Sequence, residues 1–242
     1  MKIEVYSDFV CPFCYIGKRR LEEALERSSF KEKTEVTFKS FELNQNSPRD
    51  TDLSIHEIIA NKYSISIEQA ERSNEGIGKQ AAAVGLDFRF DKMTPTNTFD
   101  AHRLAKYSST KGKEAELTER LLKAYFTEGK HIGDHETLLE IVEEIELDRE
   151  EAKAVLESDD YRDDVRRDES EAHNLGVQGV PFFVINNKYA ISGAQPTEAF
   201  VEALNKVAAE EKEGNTLQPL SSENADGMVC DENGCEVPKN KS

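Results

Sequence analysis

Ser7-Asp8-Phe9-Val10-Cys11-Pro12-Phe13-Cys14 is the stretch whose reading decides the fold. A short alternating run, Ile3-Glu4-Val5-Tyr6, precedes it as a strand would. A helical pattern follows, with Cys14, Gly17, Leu21 and Leu25 along one side. A Cys-x-x-Cys at a strand-to-helix junction reads as a dithiol redox site. Cys11 falls at the helix N-terminus, where unpaired N–H groups and the helix dipole favour a negative sulfur. The expectation is a thiol pKa lowered from about 8.5 to roughly 3.5–7.5. Pro12 has no N–H and a preset φ, so it suits the first turn. Cys14 lies one turn further in, close enough to close a disulfide. Half of a zinc site, or two packed cysteines, are the plainer alternatives.

A second signal, far along the chain, favours redox chemistry. Gly176-Val177-Gln178-Gly179-Val180-Pro181 runs directly into an apolar strand, Phe182 to Ile185. Proline is tolerated at the first residue of a strand, and a cis Val180–Pro181 bond is the expectation, since a cis X-Pro bond is a deliberate feature where it occurs. These two anchors, together with Phe41-Glu42-Leu43-Asn44 and Ile191-Ser192-Gly193-Ala194-Gln195-Pro196, resemble the thioredoxin superfamily. Within it the sequence resembles the DsbA-like branch, and there the FrnE-like proteins, over nearly the whole chain. The resemblance implies an α/β fold: a thioredoxin core with a large all-helical insertion that forms a lid over the dithiol and shapes the substrate groove.

Length and composition set outer bounds. The 242 residues suffice for one large domain or two small ones, with a sound core. Net charge is −17, which argues against nucleic acid and against anionic membrane surfaces as partners. The start, Met1-Lys2-Ile3-Glu4-Val5, leads straight into a strand, and no stretch is apolar enough to span a bilayer. Four cysteines in two close pairs suit catalysis or metal binding in a reducing compartment. A cytoplasmic location is therefore expected.

Along the chain, residues 1–50 read as strand, helix and a second strand parallel to the first, the opening part of the core. Residues 51–158 carry only helical periodicity, as an insertion. Residues 159–212 read as a returning helix that stops at Gly176, a hairpin about Asn186-Asn187-Lys188 and a last helix, closing the core. Residues 213–242 form an acidic tail that holds Cys230 and Cys235.

Chemistry then falls on a few residues. Cys11 is the expected attacking thiolate and Cys14 the resolving thiol, acting on protein or peptide thiols and disulfides. The redox-active disulfide is the only group the reaction needs: no cofactor and no metal are expected, and a cellular thiol reductant or oxidant completes the cycle. Pro181 would lie opposite Cys11, and the Val180 backbone would pair with an extended substrate segment. Pro12 and Phe13 lie between the cysteines and would also meet substrate. DsbA has histidine where this chain has Phe13; DsbA and thioredoxin differ by roughly 150 mV, so loss of that histidine points to an intermediate potential.

Asp8 and Glu42 are candidates for a proton relay to Cys14, with a helix cap or a solvated acid as the plainer roles. His131 and His135 have a spacing that zinc helices use, but Asp134 between them makes a good N-cap for the next helix. His56, His102 and His173 stand alone in the sequence and read as surface or core residues. For Cys230 and Cys235 the FrnE-like resemblance implies a second redox pair. A linker of roughly 17 residues spans about 20–25 Å, against a radius of gyration of about 18 Å for a compact chain of this size. A locally closed disulfide or an inert tail are the alternatives. Two rival functions share parts of these signals: a glutathione-dependent isomerase or transferase of the kappa-like branch, which typically has serine where Cys11 stands, and a zinc module with four cysteine ligands.

Overall fold

The computed structural model describes residues 1–210 and 232, and the backbone of 218–219, 230–231 and 234–235. Strand β1 (Lys2–Ser7) leads into helix α1 (Pro12–Glu26), which returns to β2 (Glu35–Ser40). The two strands are parallel, from Lys2 beside Glu35 to Ser7 beside Ser40. After the helical region come α8 (Arg162–Asn174), the antiparallel hairpin β3 (Phe182–Ile185) and β4 (Tyr189–Ser192), and α9 (Thr197–Glu210). In the three-residue connection 186–188, Asn186 and Asn187 both take left-handed backbone (φ 53° and 51°), and the Lys188 N–H donates to the Ile185 carbonyl (3.0 Å).

The sheet order is β2-β1-β3-β4, with the two-residue β5 (Gln218–Pro219) parallel to β4 at the edge. Strand β3 pairs antiparallel with β1, from Ile3 beside Ile185 to Tyr6 beside Phe182. Its four apolar residues are explained by cover on both faces. Phe183 and Ile185 join Ile3, Val5, Leu21, Phe200 and Leu204 under α1 and α9, while Val184 joins Tyr6 on the side of the helical region.

That region holds α2 (Ile55–Tyr63), α3 (Ile67–Ala83), α4 (Phe99–Thr110), α5 (Glu114–Lys123), α6 (His135–Glu144) and α7 (Arg149–Glu157). No strand falls between Thr51 and Glu157 among the described residues. The helix starts follow from local chemistry: Ser54 with Glu57 and Ser66 with Gln69 form reciprocal capping boxes, and Asp134 and Asp148 cap α6 and α7. Two ends differ from the periodicity. The helical periodicity begins at Thr96, but helix α4 begins at Phe99: the Thr96 hydroxyl donates to the Arg49 carbonyl (2.7 Å) and Asn97 Oδ1 accepts from the Phe99 N–H (2.9 Å). Helix α5 widens into a π turn at Ala124–Glu128, which ends at Gly129 with φ 69°. Such turns re-aim side chains; this one carries Tyr125 and Phe126 to the wall of a cavity beside the dithiol.

In the tail, β6 (Cys230–Asp231) and β7 (Gly234–Cys235) pair antiparallel, with Cys230 beside Cys235. The side chains of both cysteines lie outside the described residues.

Candidate active site

Cys11 is the N-cap of α1, with extended backbone (φ −88°, ψ 113°), and Pro12 opens the helix. The Cys11 N–H donates to the Asp8 carbonyl (3.2 Å), and the Cys14 N–H donates to the Cys11 carbonyl (3.0 Å). This holds the two cysteines one turn apart, both as free thiols. The Asp8 N–H donates to Cys14 Sγ at 3.5 Å, a contact that would strengthen with a thiolate. Cys11 is fully buried and Cys14 is 2% exposed. The expected lowering of the Cys11 pKa is therefore opposed. Burial pushes its thiol well above the ordinary value, and Cys14 and Asp8 add to the rise. A helix start stabilises a thiolate, but only burial shows how much solvent the thiolate would lose.

Across from the dithiol, the Val180–Pro181 bond is cis. Cys11 Sγ donates to the Val180 carbonyl at 3.5 Å. The Pro181 carbonyl accepts from the Gly193 N–H (2.8 Å), which ties the loop to the end of β4. Pro12, Phe13 and Val180 are all buried. Pro12 also lines a cavity of about 410 Å³ with Asp8, Val10, Ile59, Met93 and Tyr125.

Of the two acids picked from the sequence, Asp8 is the one behind the dithiol. It is 1% exposed; its carboxylate accepts from the Leu43 N–H (2.8 Å) and lies 3.3 Å from His102 Nε2. Glu42 is also buried, but it is engaged elsewhere: Arg166 Nη1 lies 2.5 Å and Asn97 Nδ2 3.3 Å from its oxygens. Burial pushes the Glu42 carboxyl up, against the pull of His102 and Arg166.

His102 is the residue that sequence reasoning missed. It stood as an isolated histidine on an amphipathic helix, and the structure places it at Asp8 with its ring 4.6 Å from that of Phe9. His131 and His135 do not converge: the first meets Asp50 (3.1 Å), the second Asp100 (2.7 Å). Among the described residues, no three His, Cys, Asp or Glu side chains gather as a metal site would need.

A second missed group fastens the helical region to α1. Glu119 of α5 accepts from Tyr15 Oη (2.6 Å) and Lys18 Nζ (2.5 Å) and pairs with Arg19. Burial alone would raise the Glu119 carboxyl; Arg19, Lys18 and Tyr15 outweigh it and hold it at about 2.

The family of DSBA-like thioredoxin domains matches residues 2–205 of this chain. The uncharacterized protein YwbO of Bacillus subtilis (strain 168) is 29% identical over 205 residues, covering 84% of this chain and 95% of that protein. The crystal structure of a probable DsbA oxidoreductase from Streptomyces coelicolor superposes with a TM-score of 0.84 at 37% identity, covering 99% of this chain and all of that one. The cytosolic disulfide reductase DsbM from Pseudomonas aeruginosa shares the fold (TM-score 0.60, 17% identity, 86% of this chain and 99% of that one). The helix-capping cysteine pair, the cis proline that faces it and the match across 2–205 lead to one assignment: the chain belongs to the DSBA-like thioredoxin domain family.

Proposed function

We propose that this protein is a thiol-disulfide oxidoreductase or isomerase acting on protein or peptide disulfides through Cys11 and Cys14. The observation that carries the proposal is the 3.5 Å contact of Cys11 Sγ with the Val180 carbonyl, beside cis Pro181. A backbone carbonyl next to the attacking sulfur is where an extended substrate segment pairs by strand addition. Cys11 attacks one sulfur of the substrate disulfide; that S–S bond breaks, and the other substrate sulfur leaves as a thiolate and takes a proton. Cys14 then loses its proton and attacks Cys11 Sγ. The Cys11–substrate bond breaks, the Cys11–Cys14 disulfide forms, and two electrons have passed to the substrate. A cellular thiol returns the protein to its dithiol form; run backwards, the same steps oxidise a substrate.

Asp8 serves as the proton acceptor for Cys14 in this scheme, because its backbone holds Cys14 Sγ and its carboxylate lies in the same buried wall. Glu42, paired with Arg166, shapes the field around it. Phe13 offers no hydrogen bond to the Cys11 sulfur, which favours a potential between those of thioredoxin and DsbA. The FrnE-like resemblance, the two close cysteine pairs and the absence of a long apolar segment in the sequence favour work in the cytoplasm.

Insulin reduction, measured beside refolding of scrambled ribonuclease, tests the proposal. Cys11→Ser is expected to abolish both activities, and Cys14→Ser to accumulate mixed disulfides through Cys11. Trapping by Cys11→Ser would reverse the two roles, and a wild-type protein inactive in both assays would remove protein disulfides as substrates.

A further inference from the structure

We propose that His102, carried by α4 of the helical insertion, is a positioning residue for proton transfer at Cys14, acting through Asp8. The inference deepens the proposed thiol-disulfide exchange and rests on it for the identity of the resolving step.

Asp8 differs from the other buried carboxylates nearby in the partner it is given. Glu42 is paired with Arg166, and Asp168 with Lys39 and Lys106. Asp8 meets no lysine or arginine among the described residues; the basic side chain against its carboxylate is His102, with Nε2 at 3.3 Å. A permanent cation would fix Asp8 as a carboxylate and spoil it as a proton acceptor. Imidazole can itself gain or release a proton near neutral pH. A bare carboxylate so buried would be costly, and a histidine that can share its proton removes that cost without fixing the charge.

The surroundings hold this pair in place. The His102 backbone N–H donates to the carbonyl of Thr98, the N-cap of α4 (3.0 Å), the ring packs at a tilt against Phe9, and the Leu43 N–H fixes the second Asp8 oxygen. The groups that face the pair come from several elements: Cys11 and Cys14 from α1, Glu42 from the segment after β2 with Arg166 of α8 behind it, and Tyr125 from the π turn, whose hydroxyl feels the Asp8 charge. When Cys14 attacks the mixed disulfide, its proton passes to the Asp8 carboxylate, directly or through water in the cavity that Asp8 lines, while His102, in the tautomer that donates Nε2–H to Asp8 Oδ1, holds that carboxylate in place. The Cys14–Cys11 bond forms, the Cys11–substrate bond breaks, and the proton is stored on Asp8 as a carboxylic acid beside His102. Reduction of the disulfide returns it.

The test follows the two phases of reaction between the reduced full-length protein and an aromatic disulfide that releases a coloured thiol. The first release reports attack by Cys11, the second resolution by Cys14. His102→Gln is expected to slow the second phase relative to the first by about tenfold, below the hundredfold or more of a direct acid–base group. It should also remove a titration from the pH profile of that phase. A variant with the wild-type ratio and the wild-type profile would overturn the proposal. If His102→Gln does not fold, imidazole NMR of the wild-type protein decides. At one fixed pH the ring resonances of His102 should differ between the dithiol and disulfide forms by more than those of His56, His131, His135 and His173. A His102 ring whose resonances do not change between the two forms would refute the link. Both measurements use small reagents, so a failure to reduce insulin would count against the proposed substrates and leave this inference standing.

Discussion

Gly17 lies so close to Pro181 that a Cβ at position 17 would stand 3.0 Å from the proline Cγ and 3.2 Å from Phe183 Cζ. The helix that carries the dithiol is seated directly on the cis-proline strand, and a glycine makes the seat possible. Alanine at 17 would gain about 0.8–1 kcal/mol of helix propensity but overpack a site whose neighbours cannot retreat, at a cost of about 1–3 kcal/mol. Phe183 is fully buried, so the cost should win. Gly17→Ala is expected to lower stability by about 1 kcal/mol and to slow disulfide exchange further, because the atom pushed aside is Pro181. Urea titration and exchange kinetics check this; a variant as stable and as fast as wild type would show that the contact relaxes freely.

Glu119 supplies a pH-dependent clasp between α1 and the helical insertion. Its carboxyl is held at about 2, against 4.5 in a free side chain. A depressed folded pKa contributes stability that is fully present above the unfolded value and is lost as pH falls through the folded one. The window is therefore about pH 4.5 down to 2. Since Glu119 keeps a third of its side chain in solvent, screening reduces the effect. Glu119→Gln should cost about 1–2 kcal/mol at pH 7, and the gap to wild type should close as pH is lowered through that window. A deficit that does not change with pH would mean that packing, not charge, makes the clasp.

What could be read from the sequence was what short range decides. The dithiol at a helix start, the proline before an apolar strand, the Asn-Asn turn and the capping residues each depend on neighbours within a few positions. Burial and partnership across the chain do not. His102 and Asp8 are 94 residues apart and Tyr15 and Glu119 are 104 apart; a lone histidine or glutamate on an amphipathic helix carries no mark of such a partner. The same holds for Cys11, where the helix start was legible but the complete burial that pushes its thiol up was not. The π turn after Lys123 was missed because its sequence keeps helical periodicity, and only the placement of Tyr125 and Phe126 reveals it.

The tail supports the last prediction. Cys230 and Cys235 are direct cross-strand partners in the β6–β7 pairing. Such partners have Cα atoms about 4.5–5.5 Å apart, inside the roughly 4.4–6.8 Å that a disulfide needs. Glu232, in the turn between these strands, lines the cavity beside Asp8, Val10 and Pro12. A second redox pair carried there would meet Cys11 at an effective concentration in about the millimolar range for a short tether. Asp231 and Glu232 stand beside its thiols in sequence, and negative charge disfavours a thiolate. The tail thiols should then be slow attackers and poor leaving groups, so that a tail disulfide, once formed, opens slowly and exchanges with Cys11 only because the tether raises the local concentration. Truncation after Gly214 is expected to change the rate of dithiol turnover, because it removes both the internal exchange partner and the chain beside the cavity. The fold and thermal stability should stay nearly intact, since the core of the sheet and its covering helices end at Glu210. Graded oxidation of the full-length protein, followed by peptide mapping, should find crosslinks between Cys11 and a tail cysteine. A truncated protein that turns over at the full-length rate, with no such crosslink in the full-length chain, would remove the tail from the mechanism.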